Sequence, residues 1–422
     1  MSARPVKLRR LRDVAALRAH LERLGVTLPL EEDAARAATR LAAPLDTPAG
    51  RAGNRLAVLP MEGWDAEPDG RPSELVARRW RRFGESGAKL VWGGEAVAVR
   101  PDGRANPRQL VLAPAHERAF AALRDALVAA HRARFGDADD LVVGLQLTHS
   151  GRFARPDGGP RPRTAYRHPW LDARVHAGDD AVLDDTELDA LVGAFVAAGA
   201  RAARLGFHFV DVKHCHGYLG HELLSATTRP GPYGGDLAGR SRFLRRVVEA
   251  LRREAPALHV GVRLSVFDLA PFRPGPQGTG RCEVPEGTPY PYAFGGDGTG
   301  RGLDLDEPAA LLAGLRELGV RLVCTTAGSP YYVPHVQRPA FHPPSDGYRP
   351  PEDPLVGVAR QIHATAQLRR RVPELVYVGS GYSYLQEWLP HVAGAAVADG
   401  CVDAVGVGRM ALSYPELPAD VL

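Results

Sequence analysis

A cluster of polar residues that could carry out chemistry follows a short apolar segment near the middle of the chain. Residues 209–212, FVDV, form the apolar segment, and residues 213–218, KHCHGY, follow it at once. This pattern is typical of a β-strand that delivers polar side chains at its exit. Lys213, His216 and Tyr218 are therefore the candidate catalytic residues.

Lys213 stands out further because lysine is rare in this chain. Of the 53 lysines and arginines, only three are lysines, Lys7, Lys89 and Lys213. Arginine and lysine are not interchangeable where a compact or titratable charge is needed. The composition thus favours a specific role for Lys213.

The elements that must position these residues alternate as strand and helix. Eight segments are predicted strands, at residues 54–61, 89–99, 141–149, 209–216, 259–267, 321–327, 374–380 and 402–407. Helical patterns follow the first seven, at residues 73–85, 116–135, 185–205, 240–254, 306–318, 355–372 and 383–398. The alternation predicts an α/β fold, a (β/α)8 TIM barrel. A doubly wound sheet is the alternative, but the G-x-G-x-x-G that it uses for phosphate is absent after the first strand.

The remaining segments define the domain organisation. Residues 1–50 are predicted to form an N-terminal helical extension, and residues 51–422 the barrel, with no final helix expected after Leu417. The loops at residues 152–183, 269–304 and 329–351 are long and rich in proline and glycine, which is typical of lids over an active site.

Composition excludes several classes of function. The net charge of +4 is small and no long basic tract is present, so neither nucleic acid nor a membrane surface is an expected partner. No signal core follows the basic N-terminus, and no apolar run could span a bilayer, so a cytoplasmic protein is expected, with a homo-oligomer left open. The four cysteines form no C-x-x-C pair, which argues against a zinc ribbon and against a disulfide framework.

The predicted strand ends carry two further kinds of group. Small residues follow the last two predicted strands, and an arginine follows the last. These residues, Ser380, Gly381, Gly408 and Arg409, are typical of the phosphate site of a barrel. At the ends of two other predicted strands, Gln146 offers both a donor and an acceptor, and Arg263 offers a fixed positive charge. Together these side chains suit a planar ring with an imide edge that becomes anionic on reduction, which is a flavin.

Several motifs in order resemble the Old Yellow Enzyme family of FMN-dependent oxidoreductases, over roughly residues 50–418. They are NRLAVLPM at 54–61, QLTHSGR at 146–152, GFHFVDVKHCHGYLGHELLS at 206–225, PYGGDLAGRSRF at 232–243, VRLS at 262–265 and VGVGRMALSYPEL at 405–417. The resemblance implies hydride transfer from NADPH or NADH, through FMN, to an activated alkene of a small-molecule substrate.

The resemblance also implies roles for individual residues. Gln146 and Arg263 would hold the pyrimidine edge of the flavin, and Tyr218 would be the proton donor of an ene-reductase. The backbones of Pro60, Met61 and Ala96 would contact the ring, and the FMN phosphate would bind at Gly381, Gly408 and Arg409.

Two positions depart from the family pattern. Lys213 stands where relatives have the first of a pair of residues, His with His or Asn, that bind a substrate carbonyl, whereas His216 matches the second. Lys213 is predicted to bind a carbonyl or carboxylate, or else to neutralise Asp211. Glu62 stands where relatives often have Thr or Cys beside the flavin, and we expect it to pair with Lys213 or to recognise a cationic substrate.

Two other functions stay open from the sequence. The altered Lys213 and Glu62 are compatible with an FMN-dependent dehydrogenase or demethylase that oxidises an amine or a C–H bond. A metal-dependent barrel hydrolase would use His214, Cys215 and His221 with Glu222, but their spacing completes no convincing ligand set, and no metal is predicted. No closely spaced cysteines for an iron–sulfur cluster follow the last strand. Tyr331 and Tyr332 are candidate caps of the substrate pocket.

Overall fold

The computed structural model describes residues 5–342 and 347–422 and shows a closed barrel of eight parallel strands. Strands that are neighbours in the chain pair with each other, and the first also pairs with the eighth. They are β1 (Leu56–Val58), β2 (Leu90–Val91, continued at Ala96–Ala98), β3 (Val142–Thr148), β4 (Phe209–Val212), β5 (His259–Ser265), β6 (Leu322–Thr326), β7 (Val376–Gly379) and β8 (Ala404–Val407). The predicted (β/α)8 barrel is confirmed.

A helix follows each of the first seven strands and covers the outside of the barrel. These helices are α1 (Glu74–Glu85), α2 (Glu117–Phe135), α3 (Asp185–Arg204), α4 (Arg242–Glu254), α5 (Asp306–Glu317), α6 (Pro354–Arg371) and α7 (Leu389–Ala398), the last preceded by a 3-10 helix, Tyr382–Trp388. In α4, Phe243, Val247 and Leu251 recur every four residues and are buried against the barrel, as an amphipathic helix requires. Side-chain caps fix the starts, for example Ser73 at α1 and Asp184, in a capping box with Glu187, at α3.

Apolar side chains fill the interior of the barrel. The strands contribute Ala57, Leu59, Leu90, Trp92, Val142, Phe209, Leu322, Cys324, Val378 and Ala404. A hairpin of Leu45–Thr47 and Gly50–Ala52 closes the end at which the strands begin, because Leu45, Ala49 and Ala52 join the same buried cluster. The opposite end, where the strands exit, is the mouth of the barrel and the usual place for chemistry in this fold.

The N-terminal extension packs on the side of the barrel formed by α6 and α7. It contains a 3-10 turn, Leu8–Arg10, and two helices, Val14–Leu24 and Ala34–Ala42. His20 Nε2 lies 3.2 Å from Oδ2 of Asp353, the residue that caps α6, and both side chains are buried. The second helix approaches α7 so closely that a Cβ on Gly394 would lie 2.6 Å from the Cα of Ala37.

The predicted strand at 89–99 is interrupted at residues 92–95. Gly94 has a positive φ of 57°, and a Cβ there would lie 2.5 Å from the ring of Trp80, so only glycine fits. The interruption turns Glu95 away from the mouth towards α1, where Arg79 Nη2 lies 2.8 Å from its carboxylate. A run of apolar residues could not reveal this break, because the break depends on packing against a helix distant in sequence.

The chain after β8 forms two short helices, Met410–Ser413 and Leu417–Val421. The second of these has only five residues, and the expected lack of a final barrel helix after Leu417 stays a prediction. Ala419 N donates a hydrogen bond to Ser86 O at 3.0 Å, so this segment packs below the start of β2. Among the described residues, no helix is both long enough and apolar enough to cross a membrane.

Short elements lie within the segments that follow the strands. They are the helices Asp172–Val175, Leu219–Leu224, Leu237–Arg240 and Pro334–Gln337, the 3-10 turns Pro101–Gly103, Pro114–His116, Gly151–Phe153, Asp179–Ala181 and Pro276–Gly278, and a hairpin of Phe272–Pro274 with Gly280–Cys282. Residues 343–346 of the predicted lid at 329–351 lie outside the described residues.

Candidate active site

A buried carboxylate, Asp211, organises the floor of the mouth. Its Oδ2 accepts hydrogen bonds from Gln146 Nε2 at 2.6 Å and Trp92 Nε1 at 2.8 Å, and its Oδ1 accepts one from the backbone N of Arg263 at 2.6 Å. Burial raises the pKa of Asp211 to about 6, although these hydrogen bonds oppose the shift. Because Asp211 holds the amide nitrogen of Gln146, the amide oxygen is left to accept a hydrogen bond from a ligand.

Three arginines line a cavity of about 610 Å³ beside this floor: Arg263 on β5, Arg338 in the loop after β6 and Arg409 after β8. None of the three forms an ion pair with a carboxylate in the part of the chain that the structure describes. Partial loss of solvation in the cavity lowers the pKa of Arg409 to about 10, and repulsion by Arg338 and Arg263 adds to this shift. The residue nevertheless remains exposed to solvent. Arg263 Nε is buried and has no hydrogen-bond partner among the described residues. Such a concentration of uncompensated positive charge fits a phosphorylated, anionic ligand.

The backbone at the exits of β7 and β8 leaves room at the same cavity. Gly381, with a positive φ of 95°, and Gly408 line it together with Ser380. No atom lies within 4 Å of the position that a Cβ on Gly408 would take. The predicted phosphate-binding residues are thus brought together, and the residues present fit the phosphate of FMN.

The backbones of Pro60, Met61 and Ala96 line the other side of the mouth, but their carbonyl groups already have partners. Pro60 O accepts a hydrogen bond from Arg263 Nη1 at 3.1 Å, and Met61 O accepts one from Ala96 N at 2.9 Å. Ala96 O accepts one from Gln109 Nε2 at 2.9 Å. These bonds tie β1 to β2 and orient Arg263, while the predicted contacts of the three backbones with the flavin stay predictions.

A chain of hydrogen bonds crosses the mouth from β1 to the loop after β6. Tyr218 Oη donates to Glu62 Oε2 in a short contact, and it lies 2.8 Å from Tyr331 Oη. The Tyr331 ring stacks on Phe153, with centroids 4.1 Å apart, and is 40% exposed. On the far side of the carboxyl group, Asn106 Nδ2 donates to Glu62 Oε1 at 3.3 Å. The proton donor expected from the sequence therefore sits between a carboxyl group and a second phenol.

Lys213 and His216 lie next to Tyr218. Lys213 Nζ sits over the Tyr218 ring, 3.8 Å from its centroid, with only 6% of the residue exposed. Among the described residues it forms no ion pair with either Glu62 or Asp211. His216 Nε2 lies 3.3 Å from Thr326 Oγ1, and His216 adopts a positive φ of 66°. The strand end thus presents an amine, an imidazole and a phenol together.

Burial dominates the protonation of these groups. It raises the pKa of Glu62, although Lys213 and the hydrogen bonds from Tyr218 and Asn106 oppose the shift. It lowers the pKa of Lys213, against the effects of Cys215 and Glu62. Burial also lowers the pKa of His216 well below its usual value, so that the imidazole is neutral and can donate or accept one hydrogen bond.

The residues that suggested a metal site have structural partners instead. His214 Nδ1 lies 3.2 Å from Val212 O, and His221 Nδ1 accepts a hydrogen bond from Gly217 N at 2.9 Å, which fixes the turn before Tyr218. Glu222 forms a buried ion pair with Arg152. Within the described ranges, no group of three or more His, Cys, Asp and Glu residues is placed to hold a metal ion.

Three residues of the site were not predicted from the sequence, namely Asn106, Phe153 and Arg338. Asn106 and Phe153 lie in loops after β2 and β3, and Arg338 is one of many loop arginines. No local pattern distinguishes them, because the fold alone brings them to the mouth. Of the two candidate caps, Tyr331 lies at the mouth, whereas Tyr332 is buried and donates to Asp268.

Comparison with known proteins identifies the family. The model of the NADH:flavin oxidoreductase / NADH oxidase family matches residues 41–275, more than half of the chain. The chain therefore belongs to this family, as the resemblance to Old Yellow Enzyme implied. Its cofactor is FMN and its reductant is NADPH or NADH.

Curated relatives carry the description NADPH dehydrogenase. The protein from Bacillus velezensis is 26% identical over 282 residues, which covers 65% of this chain and 70% of the relative. The protein from Bacillus pumilus is 27% identical over 283 residues, with the same two shares.

Solved structures share the fold. The old yellow enzyme homologue from Zymomonas mobilis superposes with a TM-score of 0.59 at 20% identity and covers 90% of this chain and 91% of its own. A 2-naphthoyl-CoA reductase superposes with a TM-score of 0.66 at 17% identity over 91% of this chain, which corresponds to 52% of that enzyme. This chain thus spans about half the length of that reductase.

Proposed function

We propose that the protein reduces an activated carbon–carbon double bond, such as that of an α,β-unsaturated carbonyl compound, with NADPH or NADH as the reductant. The observation that carries the proposal is the position of Tyr218 at the mouth, with Lys213 Nζ over its ring and His216 at the same strand end. An acid that can give a proton and two groups that can bind a carbonyl oxygen are what this reduction needs beyond a hydride.

FMN held at this mouth would supply the hydride chemistry between the nicotinamide and the substrate. Tyr218 supplies the proton: its O–H bond breaks as a C–H bond forms at the carbon next to the carbonyl group. The substrate thereby gains one hydride and one proton. Lys213 and His216 donate hydrogen bonds to the carbonyl oxygen, where negative charge develops during the reaction.

Residues at the floor of the mouth would hold the cofactor next to these groups. Gln146, oriented by Asp211, would bind the imide edge of FMN, and Arg263 would stabilise negative charge on that edge. Arg409, Gly381 and Gly408 would hold the phosphate. Asp211 thus acts on the cofactor through Gln146 and through the backbone of Arg263.

The experiment separates the two half-reactions of the holoenzyme under anaerobic conditions. NADPH or NADH should bleach the flavin absorbance, and an enone such as 2-cyclohexenone should restore it. In Tyr218→Phe, the enone step should slow by about 100- to 10,000-fold, because the general acid is lost, while bleaching keeps its rate. Tyr233→Phe is the matched control, since the Tyr233 hydroxyl bonds Asp189 on the outer side of the barrel.

Two results would overturn this function. One is a failure of every activated alkene tested to reoxidise the bleached enzyme. The other is a Tyr218→Phe enzyme in which only the step with nicotinamide is slower.

A second candidate is oxidation of an amine, and the Glu62 carboxyl group favours it. Together with the rings of Tyr218, Tyr331 and Phe153, it forms the surroundings that bind an alkylammonium group. This function predicts that primary or secondary amines bleach the flavin anaerobically without any nicotinamide.

A further inference from the structure

We propose that Glu62 controls proton donation at this site: its carboxyl group determines whether the Tyr218 hydroxyl can give its proton to the substrate. The inference rests on the proposed alkene reduction and assigns a function to a residue that departs from the family pattern. Glu62 acts through Tyr218 and is therefore a positioning residue. It orients the Tyr218 hydroxyl group and can also pass a proton to it.

The hydrogen bonds around Glu62 fix where that proton lies. Asn106 Oδ1 accepts a hydrogen bond from Arg108 N at 2.9 Å, which sets the orientation of the Asn106 amide. Asn106 Nδ2 must then be the donor to Glu62 Oε1. Since Oε1 is occupied as an acceptor, a proton on Glu62 resides on Oε2, the atom that faces Tyr218.

Two arrangements of the chain follow. When Glu62 is ionised, Tyr218 donates its proton to the carboxylate, and Tyr331 can donate to Tyr218. A charge-assisted hydrogen bond of this kind is strong and holds the proton away from the substrate. When Glu62 is protonated, it donates to Tyr218 Oη, and the Tyr218 O–H is free to point elsewhere.

The arrangement with Glu62 protonated is the one that allows proton transfer to the substrate, and it also returns a proton to Tyr218. As Tyr218 gives its proton to the substrate carbon, the Glu62 O–H bond breaks and its proton neutralises the phenolate. Glu62, a partly exposed residue, then regains a proton from solvent. NADPH or NADH supplies the hydride, so each turnover consumes one hydride and one solvent proton.

The surroundings set the direction of the pH dependence. Burial raises the pKa of Glu62, and the opposing effects come from Lys213, Tyr218 and Asn106. The titratable or charged groups nearest the chain are Lys213 and Tyr218 from the β4 end, Tyr331 from the loop after β6, and Arg155, which acts on Tyr331. Asp65, Arg79 and Glu95 form a separate network on the other side of Gly63. Alkene reduction should therefore fall as the pH rises through the raised pKa of Glu62.

The test is the rate of flavin reoxidation by an activated alkene, measured between about pH 5 and pH 9, the range that buried carboxyl groups can reach. In the parent, we expect this rate to fall by up to about tenfold for each pH unit above the pKa of Glu62. Glu62→Gln should abolish this fall. Asn106→Ala should move it to higher pH, because the hydrogen bond from Asn106 lowers the pKa of Glu62.

Asp268→Asn provides the matched control. Asp268 is a buried carboxyl group that accepts a hydrogen bond from Tyr332, and burial raises its pKa to about 7. Like Glu62, Asp268 is hydrogen-bonded to a tyrosine hydroxyl group, but it does not belong to the hydrogen-bonded series of Glu62, Tyr218 and Tyr331. Asp268→Asn should leave the pH dependence of reoxidation as it is in the parent.

Infrared spectra give a readout independent of turnover. Among the carboxyl bands that disappear with rising pH in the parent, the band of Glu62 should be the one missing from the difference spectrum of Glu62→Gln, and it should shift in Tyr218→Phe. If the pH dependence is unchanged in Glu62→Gln, or if the Glu62 band does not shift in Tyr218→Phe, the inference about Glu62 is wrong, while the proposed function stands. A parent that no alkene reoxidises at any pH would instead overturn the proposed function.

Discussion

The two ends of the barrel mouth carry opposite chemistry. At one end, Arg263, Arg338 and Arg409 surround a cavity, and no carboxylate in the described residues forms an ion pair with them. At the other end, a carboxyl group, Glu62, bonds to Tyr218 in a short contact. One end is permanently positive, whereas the other carries a carboxyl group that can gain or lose a proton.

The difference matches the roles that we propose for the two ends. A phosphate needs a fixed positive charge and accessible backbone N–H groups, which arginine and glycine provide at any physiological pH. A proton donor must give up its proton and regain it in every turnover, and a neighbour that can itself exchange a proton can serve that cycle. The cofactor end should accordingly respond to mutation in affinity, and the substrate end in pH dependence and rate.

The largest effect on affinity is expected from Arg409→Gln. Loss of a charge-assisted hydrogen bond should weaken FMN binding by about 10- to 100-fold, as measured by quenching of FMN fluorescence on titration of the apoprotein. Riboflavin lacks the phosphate and is the matched ligand, and its affinity should hardly change. An equal loss for both ligands would show that Arg409 does not act on the phosphate.

Residue types at the strand exits made the cofactor end predictable from the sequence. Glycines and arginines at the ends of parallel strands indicate an anion site. The structure brings these residues, Gly381, Gly408, Arg409 and Arg263, to one cavity. The substrate end was only partly predictable. No sequence pattern indicates that Glu62 bonds to Tyr218 rather than to Lys213, because that choice depends on side-chain positions across the mouth.

The barrel itself was predictable for a similar reason. Each predicted strand and each of the seven helices carries its own periodic pattern, which does not depend on distant contacts. The break in β2 at Gly94 and the helix Leu417–Val421 were missed, because packing against Trp80 and against the start of β2 decides them.

A smaller effect, about tenfold, is expected on the KM for an enone in Lys213→Met. The substitution keeps most of the volume but removes a hydrogen-bond donor to the carbonyl group. FMN content should stay unchanged. Because Lys213 lowers the pKa of Glu62, the fall of the reoxidation rate should also move to higher pH. Lys213→His, which restores the residue typical of the family, should recover part of the KM. If KM is unchanged and only stability falls, Lys213 has a structural role.

The smallest effect is expected in Arg338→Ala. Arg338 and Arg409 are both exposed, but Arg338 lies on the loop after β6, whereas Arg409 follows Gly408 at the exit of β8. We therefore expect Arg338 to act on a bound phosphate mainly through its charge. Exposed charges are screened by salt, and the substitution should weaken FMN binding by only about two- to fivefold at low ionic strength. At high salt the loss should vanish for Arg338→Ala but persist for Arg409→Gln. A salt-independent loss at Arg338 would mean that its guanidinium group contacts the phosphate directly, as we expect of Arg409.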